Sequence, residues 1–328
     1  MSVISQYKNS AASSWLNEWI RRMRHGDVLF RALTIVASVT ILATFLWIGY
    51  VLWDTSALSR DKFGLGFLFS TEWDPVKSNF GALPFIYGTL VTSLLALILA
   101  VPIGVGVAIF LAELAPEWIR QPVGYLIELL AAVPSVIFGL WGLYALIPLF
   151  VRPTSDFLNS SFGFLPIFAG PILGPSRFAA AVILTIMILP TISALCRDVF
   201  AAIPSSQREA ALALGATKWE MISQVLIPYG MSGILGAVIL GLGRALGETI
   251  AVTMLIGNNR DLSASILHPG YTMASIIANE FAEATDEMHR QALIEIGLIL
   301  FMITLALNLI ARLLVWRVAR RTPSEVRA

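Results

Sequence analysis

The hydrophobic positions of this chain fall into six long runs separated by polar segments. They extend over about 28–53, 83–112, 123–150, 177–195, 229–256 and 292–316. Each approaches or exceeds the roughly 20 apolar residues that a helix needs to cross a bilayer. Hydrocarbon offers no partner to a backbone N–H or C=O, so runs of this length are read as helices. The second run is longer than a span requires and is interrupted by Pro102, which predicts that one end leaves the bilayer. The pattern predicts an all-α polytopic membrane protein with six transmembrane helices. The simplest organisation is one membrane domain over 28–316, between a 1–27 segment and a 317–328 tail.

The polar segments orient these spans. With Arg31 and Arg312 at the adjoining span ends, fourteen Lys and Arg fall to the side of the N-terminal segment, the 113–124 and 197–227 loops and the C-terminal tail, against seven, Arg177 among them, on the side of the alternate loops. The richer side is expected to be cytoplasmic, with both termini inside. Within the 1–27 segment, Trp15, Leu16, Trp19, Ile20 and Met23 recur at helical spacing, with Arg21, Arg22 and Arg24 mostly elsewhere on the wheel. This predicts an amphipathic helix lying on the lipid interface. On the opposite side, 272–284 reads as a short helix packed across the outer mouth, re-entrant or on the surface.

Composition narrows the chemistry. The chain has 328 residues, 57% hydrophobic and 13% charged, against about 25% charged in soluble domains. One cysteine, Cys196, excludes an intrachain disulfide framework. His25, His268 and His289 lack ligand-like spacing, so no metal site is expected. The N-terminal 27 residues are too polar, and the run after them too long, for a signal peptide. No Gly-Lys dipeptide occurs, so a phosphate-binding P-loop is impossible, and neither HExxH nor GxSxG is present. With none of these motifs, the chain is not expected to be an enzyme. Membrane lipid is an expected partner and nucleic acid is not.

Two polar stretches carry candidate function. In the 197–227 loop, residues 208–215 read Arg-Glu-Ala-Ala-Leu-Ala-Leu-Gly and are followed by a second helical stretch with Trp219, Ile222 and Val225 on one face. Ser205 or Ser206 is the expected N-cap, Glu209 the first-turn acid and Gly215 the corner. A structured helix–turn–helix on one side of a membrane is a device for docking a partner. In the fifth run, Arg244 and Glu248 are spaced i, i+4 within a glycine-rich apolar segment. On one continuous helix they would share a face as an ion pair. An ionisable residue at membrane depth is by default a functional candidate, and a guanidinium matches an oxyanion bidentately. Thr249 adjoins the pair. Ser135, after Pro134, is placed beside a backbone carbonyl freed by the proline. Glu128, at the inner end of the third run, is expected to meet water or Arg120.

The loop resembles the EAA loop of binding-protein-dependent ABC importer permeases. The matching positions are Glu209, Ala210, Ala211, Gly215, Val225, Ile227 and Pro228, with Val225 and Ile227 as conservative departures. Residues 244–249, Arg-Ala-Leu-Gly-Glu-Thr, are similar to the fifth-span signature of the phosphate-specific branch. Stretches 80–90, 133–140 and 276–281 resemble its PstC-type subunit, and the long tail and Glu72-Trp73-Asp74-Pro75 favour PstC over PstA type. The resemblance implies a type I ABC importer permease fold with a cytoplasmic coupling helix. It implies ATPase coupling through Glu209, Ala210, Ala211, Gly215 and Trp219, and a substrate pathway with Arg244, Glu248, Thr249 and Ser135. It also implies a PstA-type sister permease, a PstB-type ATPase dimer that binds the ATP and Mg, and an external PstS-type phosphate-binding protein. The chain itself would carry no cofactor and would lie in a bacterial or archaeal plasma membrane. Competing readings are a permease for molybdate or sulfate, and an ATP-independent channel or secondary transporter, which has no use for a docking loop.

Overall fold

The computed structural model describes residues 27–321, with side chains over 28–317. The expected interfacial helix at 15–23 lies outside the described residues. The chain divides into two compact units, Met1–Asp54 and Thr55–Ala328. The first contributes α1 (Asp27–Thr55), an apolar helix of 29 residues. At 1.5 Å per residue it is about 43 Å long, enough to cross a ~30 Å hydrocarbon core. Its hydroxyls at Thr34, Ser38, Thr40 and Thr44 each donate to the carbonyl four residues earlier, so none is left open to lipid.

The second unit begins with α2 (Ala57–Phe63), α3 (Gly66–Phe69) and an antiparallel pair of two-residue strands, β1 (Trp73–Asp74) and β2 (Asn79–Phe80). The turn between the strands is shaped by Asp74, whose carboxylate accepts from the backbone N–H of Lys77 and Val76; these bonds hold its pKa below the ordinary value. Helices follow: α4 (Leu83–Ile109), α5 (Glu117–Ala132), α6 (Ser135–Trp141), α7 (Arg152–Phe162), α8 (Arg177–Ala201), α9 (Ser205–Ala213), α10 (Lys218–Glu220), α11 (Ile227–Gly247), α12 (Ile250–Leu255), α13 (Met273–Glu280) and α14 (Glu287–Arg321). π-helical turns extend α4 over Phe110–Leu114, join α6 to α7 over Gly142–Val151, and join α10 to α11 over Met221–Leu226. Pro148 lies within the second of these, and Pro228 just beyond the third. A proline removes the donor for an i→i+4 bond, and a wider turn accommodates the loss.

Six helical stretches among the described residues are long and apolar enough to span a membrane: Val28–Thr55, Leu83–Leu114, Ser135–Phe162, Arg177–Ala201, Lys218–Gly247 and Glu287–Arg317. Two differ in kind from the expected runs. The third was expected as one helix over 123–150. Instead Val133 and Pro134 are extended, at ψ 128° and 141°, so α5 stops at Ala132 and the spanning stretch starts at Ser135. Pro134 pushes the residue before it out of the helical region. The fifth was expected to continue to 256 but ends at Gly247, because Glu248 is extended at ψ 124°.

At the centre lie α4 and α8. Ala180, Leu184, Ile188, Ile192, Cys196 and Phe200 form an unbroken i+4 ridge on α8, none more than 1% exposed. Ala96, Ala100, Gly104 and Ala108 form the matching ridge on α4. In a bilayer, lipid is as apolar as leucine, so close van der Waals packing of small against large residues holds such a pair. A Cβ on Gly104 would stand 2.9 Å from Ile192 Cγ2. The helix α11 joins the same core through Ile234, Ala237 and Ala245. A Cβ on its Gly233 would meet Val199 at 2.4 Å.

A separate aromatic layer closes one end of this unit, with Phe67, Trp73, Phe80, Phe85, Tyr271 and Met273. Here the 272–284 segment forms α13, opened by a reciprocal Thr272–Ser275 capping box. Met273, Ala274, Ser275, Ile276 and Glu280 are buried, so α13 is packed into the layer and does not lie on the surface. Glu280 accepts from Trp73 Nε1 at 2.9 Å and Arg260 at 2.5 Å, and its second partner ring, His289, is 3.1 Å away and stacks on Phe80. Nearby, buried Arg177 donates to the carbonyls of Asp261, Ser263 and Ser265, tethering the 257–270 loop to the start of α8.

Candidate functional site

The 197–227 segment folds as two short helices about a fixed corner. Pro204, extended, precedes α9, which therefore opens at Ser205 with no side-chain cap. The expected Ser205/Ser206 cap is not formed, and Glu209 lies beyond the first turn. The corner is a Schellman closure: Gly215 N–H donates to Leu212 O at 3.0 Å and Ala216 N–H to Ala211 O at 3.1 Å. It requires the left-handed backbone that Gly215 takes, φ 88°. A Thr217–Glu220 capping box then opens α10. No residue of α9 is buried. Leu214 is 90% and Trp219 71% exposed, whereas Ile222 is buried, so the apolar face expected for Trp219, Ile222 and Val225 is divided between solvent-facing and core-facing residues. Glu209, Leu212 and Leu214 are exposed, and Trp219, also exposed, borders a groove with Val105, Ile109 and Leu114 of the α4 span.

One side chain carries the polar link from α9 to the membrane helices, beside the apolar contact of half-buried Ala211. Arg208 donates to Phe200 O and Ile203 O, both at 2.6 Å, and to Glu113 Oε1 at 2.8 Å. Those carbonyls lie at and just beyond the C-terminal end of α8, where the helix dipole is negative and a cation is favoured. Glu113 belongs to the π turn that ends the α4 span. Glu128 does meet water, with its side chain 57% exposed, and its ionic partner is Arg197 at 3.3 Å and not Arg120.

The second candidate region lies at the break between α11 and α12. Arg244 and Glu248 do not form the expected pair. The helix has ended before Glu248, so its carboxylate turns forward and accepts from Ala251 N–H at 3.3 Å, opening α12. A carboxylate satisfies the orphan donors of a helix start, and glycines at 241, 243 and 247 weaken continuation of α11. Arg244, half-buried in the last turn of α11, reaches the Thr191 hydroxyl of α8 at 3.4 Å. Among the described residues this is its one polar partner, which leaves its other donors available to a ligand. Thr249 donates to Gly247 O at 3.2 Å within the break.

Ser135 comes to the same level by a different route. Gly139 of α6 faces Ala251 and Met254, and Gly142 after it faces Leu255. Rising numbers meet rising numbers, so α6 and α12 run in parallel, and both begin at a chain break. Ser135 starts one and the Glu248–Thr249 step precedes the other. The arrangement gathers a guanidinium, a carboxylate, hydroxyls and irregular backbone within an apolar bundle. Irregular backbone at such depth is tolerated where it lines a cavity or is buried in protein. Thr191, Arg208 and Glu113 were missed as site residues in the sequence. Arg208 adjoins the 209–211 motif and Thr191 follows Pro190, but neither spacing reveals a partner 95 or 53 residues away. No cluster of metal-ligating side chains occurs among the described residues.

A family model for the inner membrane component of binding-protein-dependent transport systems matches residues 104–322. The chain belongs to the binding-protein-dependent transport permeases. This permease is 46% identical over 294 residues to the phosphate transport system permease protein PstC of Xylella fastidiosa strain 9a5c, covering 88% of each chain. It is 40% identical over 304 residues to PstC 2 of Mycobacterium tuberculosis, covering 89% of this chain and 93% of that one. Among solved structures, its fold is similar to a bacterial alginate ABC transporter, with a TM-score of 0.57 at 17% identity, covering 84% of this chain and 92% of that one. It is also similar to the MetNI methionine ABC transporter, with a TM-score of 0.52 at 17% identity, over 71% and 94%. With six apolar helices among its described residues, the permease is a multi-pass membrane protein, and its transport role is not that of a hydrolase.

Proposed function

We propose that this permease is the PstC-type subunit of an ATP-driven phosphate importer and forms one half of its translocation pathway. Half-buried Arg244 at the helix break carries the reading on the side of geometry. It is a fixed positive charge with donors to spare, placed where two parallel half-helices begin. A phosphate oxyanion matches that fork. Attraction there is weak by design, since a permeating ion has to leave. The identity to phosphate permeases supports the choice of anion.

A PstA-type sister permease supplies the other half of the pathway, a PstB-type ATPase dimer binds ATP and Mg, and a PstS-type protein delivers phosphate from outside. The chain itself takes no cofactor. Glu209, Ala210, Ala211, Gly215 and Trp219 present the face that docks on the ATPase, so both termini lie in the cytoplasm of a bacterial or archaeal cell. The test is ATP-driven uptake of radiolabelled phosphate by the four-component complex in liposomes, competed by sulfate and molybdate. Uptake that resists both competitors supports the reading. Loss of uptake to one of them transfers the architecture to that oxyanion.

A further inference from the structure

We propose that the Arg208–Glu113 ion pair is a transmission clamp, which makes the docking helix α9 move as one body with the α4–α8 pair. The proposal rests on the functional reading above. It starts from thin packing: α9 has no fully buried residue, and its apolar contact with the core is through half-buried Ala211. The polar part of its hold comes from Arg208, whose guanidinium makes three short charge-assisted bonds, at 2.6, 2.6 and 2.8 Å. The side chains of the pair are largely withdrawn from solvent, at 19% and 11% exposure, so they are far less screened than a surface bridge.

The partners fix what the clamp grips. Two of the bonds end on Phe200 and Ile203 at the end of α8, and the third on Glu113 at the end of the α4 span. These two helices are locked together along their ridges of small and large residues. The far consequence is at Thr191, on α8, which holds Arg244. A displacement of α9 is thereby delivered to the helix that touches the guanidinium, and not only along the chain into α11. Arg208 and Glu113 are thus positioning residues for the coupling of ATP hydrolysis to transport.

Glu113 is the decisive position, because it lies outside the docking loop and its substitution leaves the presented face intact. The experiment compares wild type, Glu113→Gln, Glu113→Asp and Arg208→Gln in the reconstituted complex with its binding protein. It reads phosphate moved per ATP hydrolysed, and hydrogen exchange at residues 205–213 in the same complex. The expectation for Glu113→Gln and Arg208→Gln is a ratio lowered about 5-fold or more, with exchange at 205–213 faster by a similar factor. Glu113→Asp keeps the charge and is expected to recover part of both. A Glu113→Gln complex with the wild-type ratio overturns the proposal, as does a lowered ratio with unchanged exchange. Should the wild-type complex move no phosphate, the functional reading falls, while the exchange arm still decides whether Glu113 holds α9.

Discussion

At the scale of single residues, the charge at position 244 is the most exacting feature. Its guanidinium is within an apolar bundle, where an ionisable group is costly unless it has a use. Arg244→Ala is expected to lower phosphate uptake about 100-fold or more, the order of a lost charge-assisted contact to an anion. Copurification of all subunits is expected to stay intact, and normal uptake by this variant would remove Arg244 from the pathway. Glu248 illustrates how a side chain's work depends on the backbone beneath it. Its spacing from Arg244 is right for a helical pair, but the extended residue at 248 turns the carboxylate into the opening group of α12. Glu248→Ala is therefore expected to destabilise α12 by about 1 kcal/mol, as loss of a helix N-cap does. A thermal unfolding midpoint equal to wild type would show that the bond to Ala251 N–H contributes nothing.

At the scale of elements, close packing and special backbone separate glycines that look alike in sequence. Gly233 faces Val199 so tightly that a methyl has no room, whereas a methyl on Gly236 meets nothing within 4 Å. Gly233→Ala is expected to lower the unfolding midpoint of the detergent-solubilised chain. Gly236→Ala is expected to leave it unchanged or raise it, since alanine favours a helix interior by about 1 kcal/mol. Equal midpoints for the two variants would count against α11 packing on α8 as described. Gly215 is demanding for another reason: at φ 88° a β-branched residue is strained by about 1–3 kcal/mol. Gly215→Val is expected to reduce phosphate-stimulated ATP hydrolysis by the complex, and an unchanged rate would detach the corner from coupling.

At the scale of the whole molecule, the sequence makes plain what depends on local pattern and hides what depends on distant contact. Six spans are readable because membrane-crossing helices need long uninterrupted apolar runs. The corner at Gly215 is readable because a glycine follows a run of strong helix formers. The break at Val133–Pro134 had its proline as a signal, but a proline inside a span reads equally as a kink. The break at 248 had only the glycines at 241, 243 and 247 before it, and neither 191–244 nor 113–208 pairing leaves any periodic trace. The knot at Glu280 is of the same hidden kind, and it has a stability that can be measured. Trp73→Phe deletes the indole donor while keeping an aromatic ring, so the loss is that of a buried hydrogen bond to a charged acceptor, about 1.5–3 kcal/mol. A thermal midpoint unchanged by Trp73→Phe would show that the knot is not held by that bond.

That knot also bears on how the chain comes into being. A ribosome delivers the polypeptide from its N-terminus, so Trp73 emerges 207 residues ahead of the carboxylate that receives its N–H. Arg260 arrives next, then Glu280, and His289 completes the group at the threshold of the final span. Until then Phe67, Phe80 and Phe85 lack the covering side chains of α13 and α14. Closure of this aromatic layer therefore waits until the first turns of the sixth span have been made. A chain cut short before residue 280 is expected to leave those rings uncovered, and protection from added protease that equals the full chain's would show that the layer closes without α13 and α14.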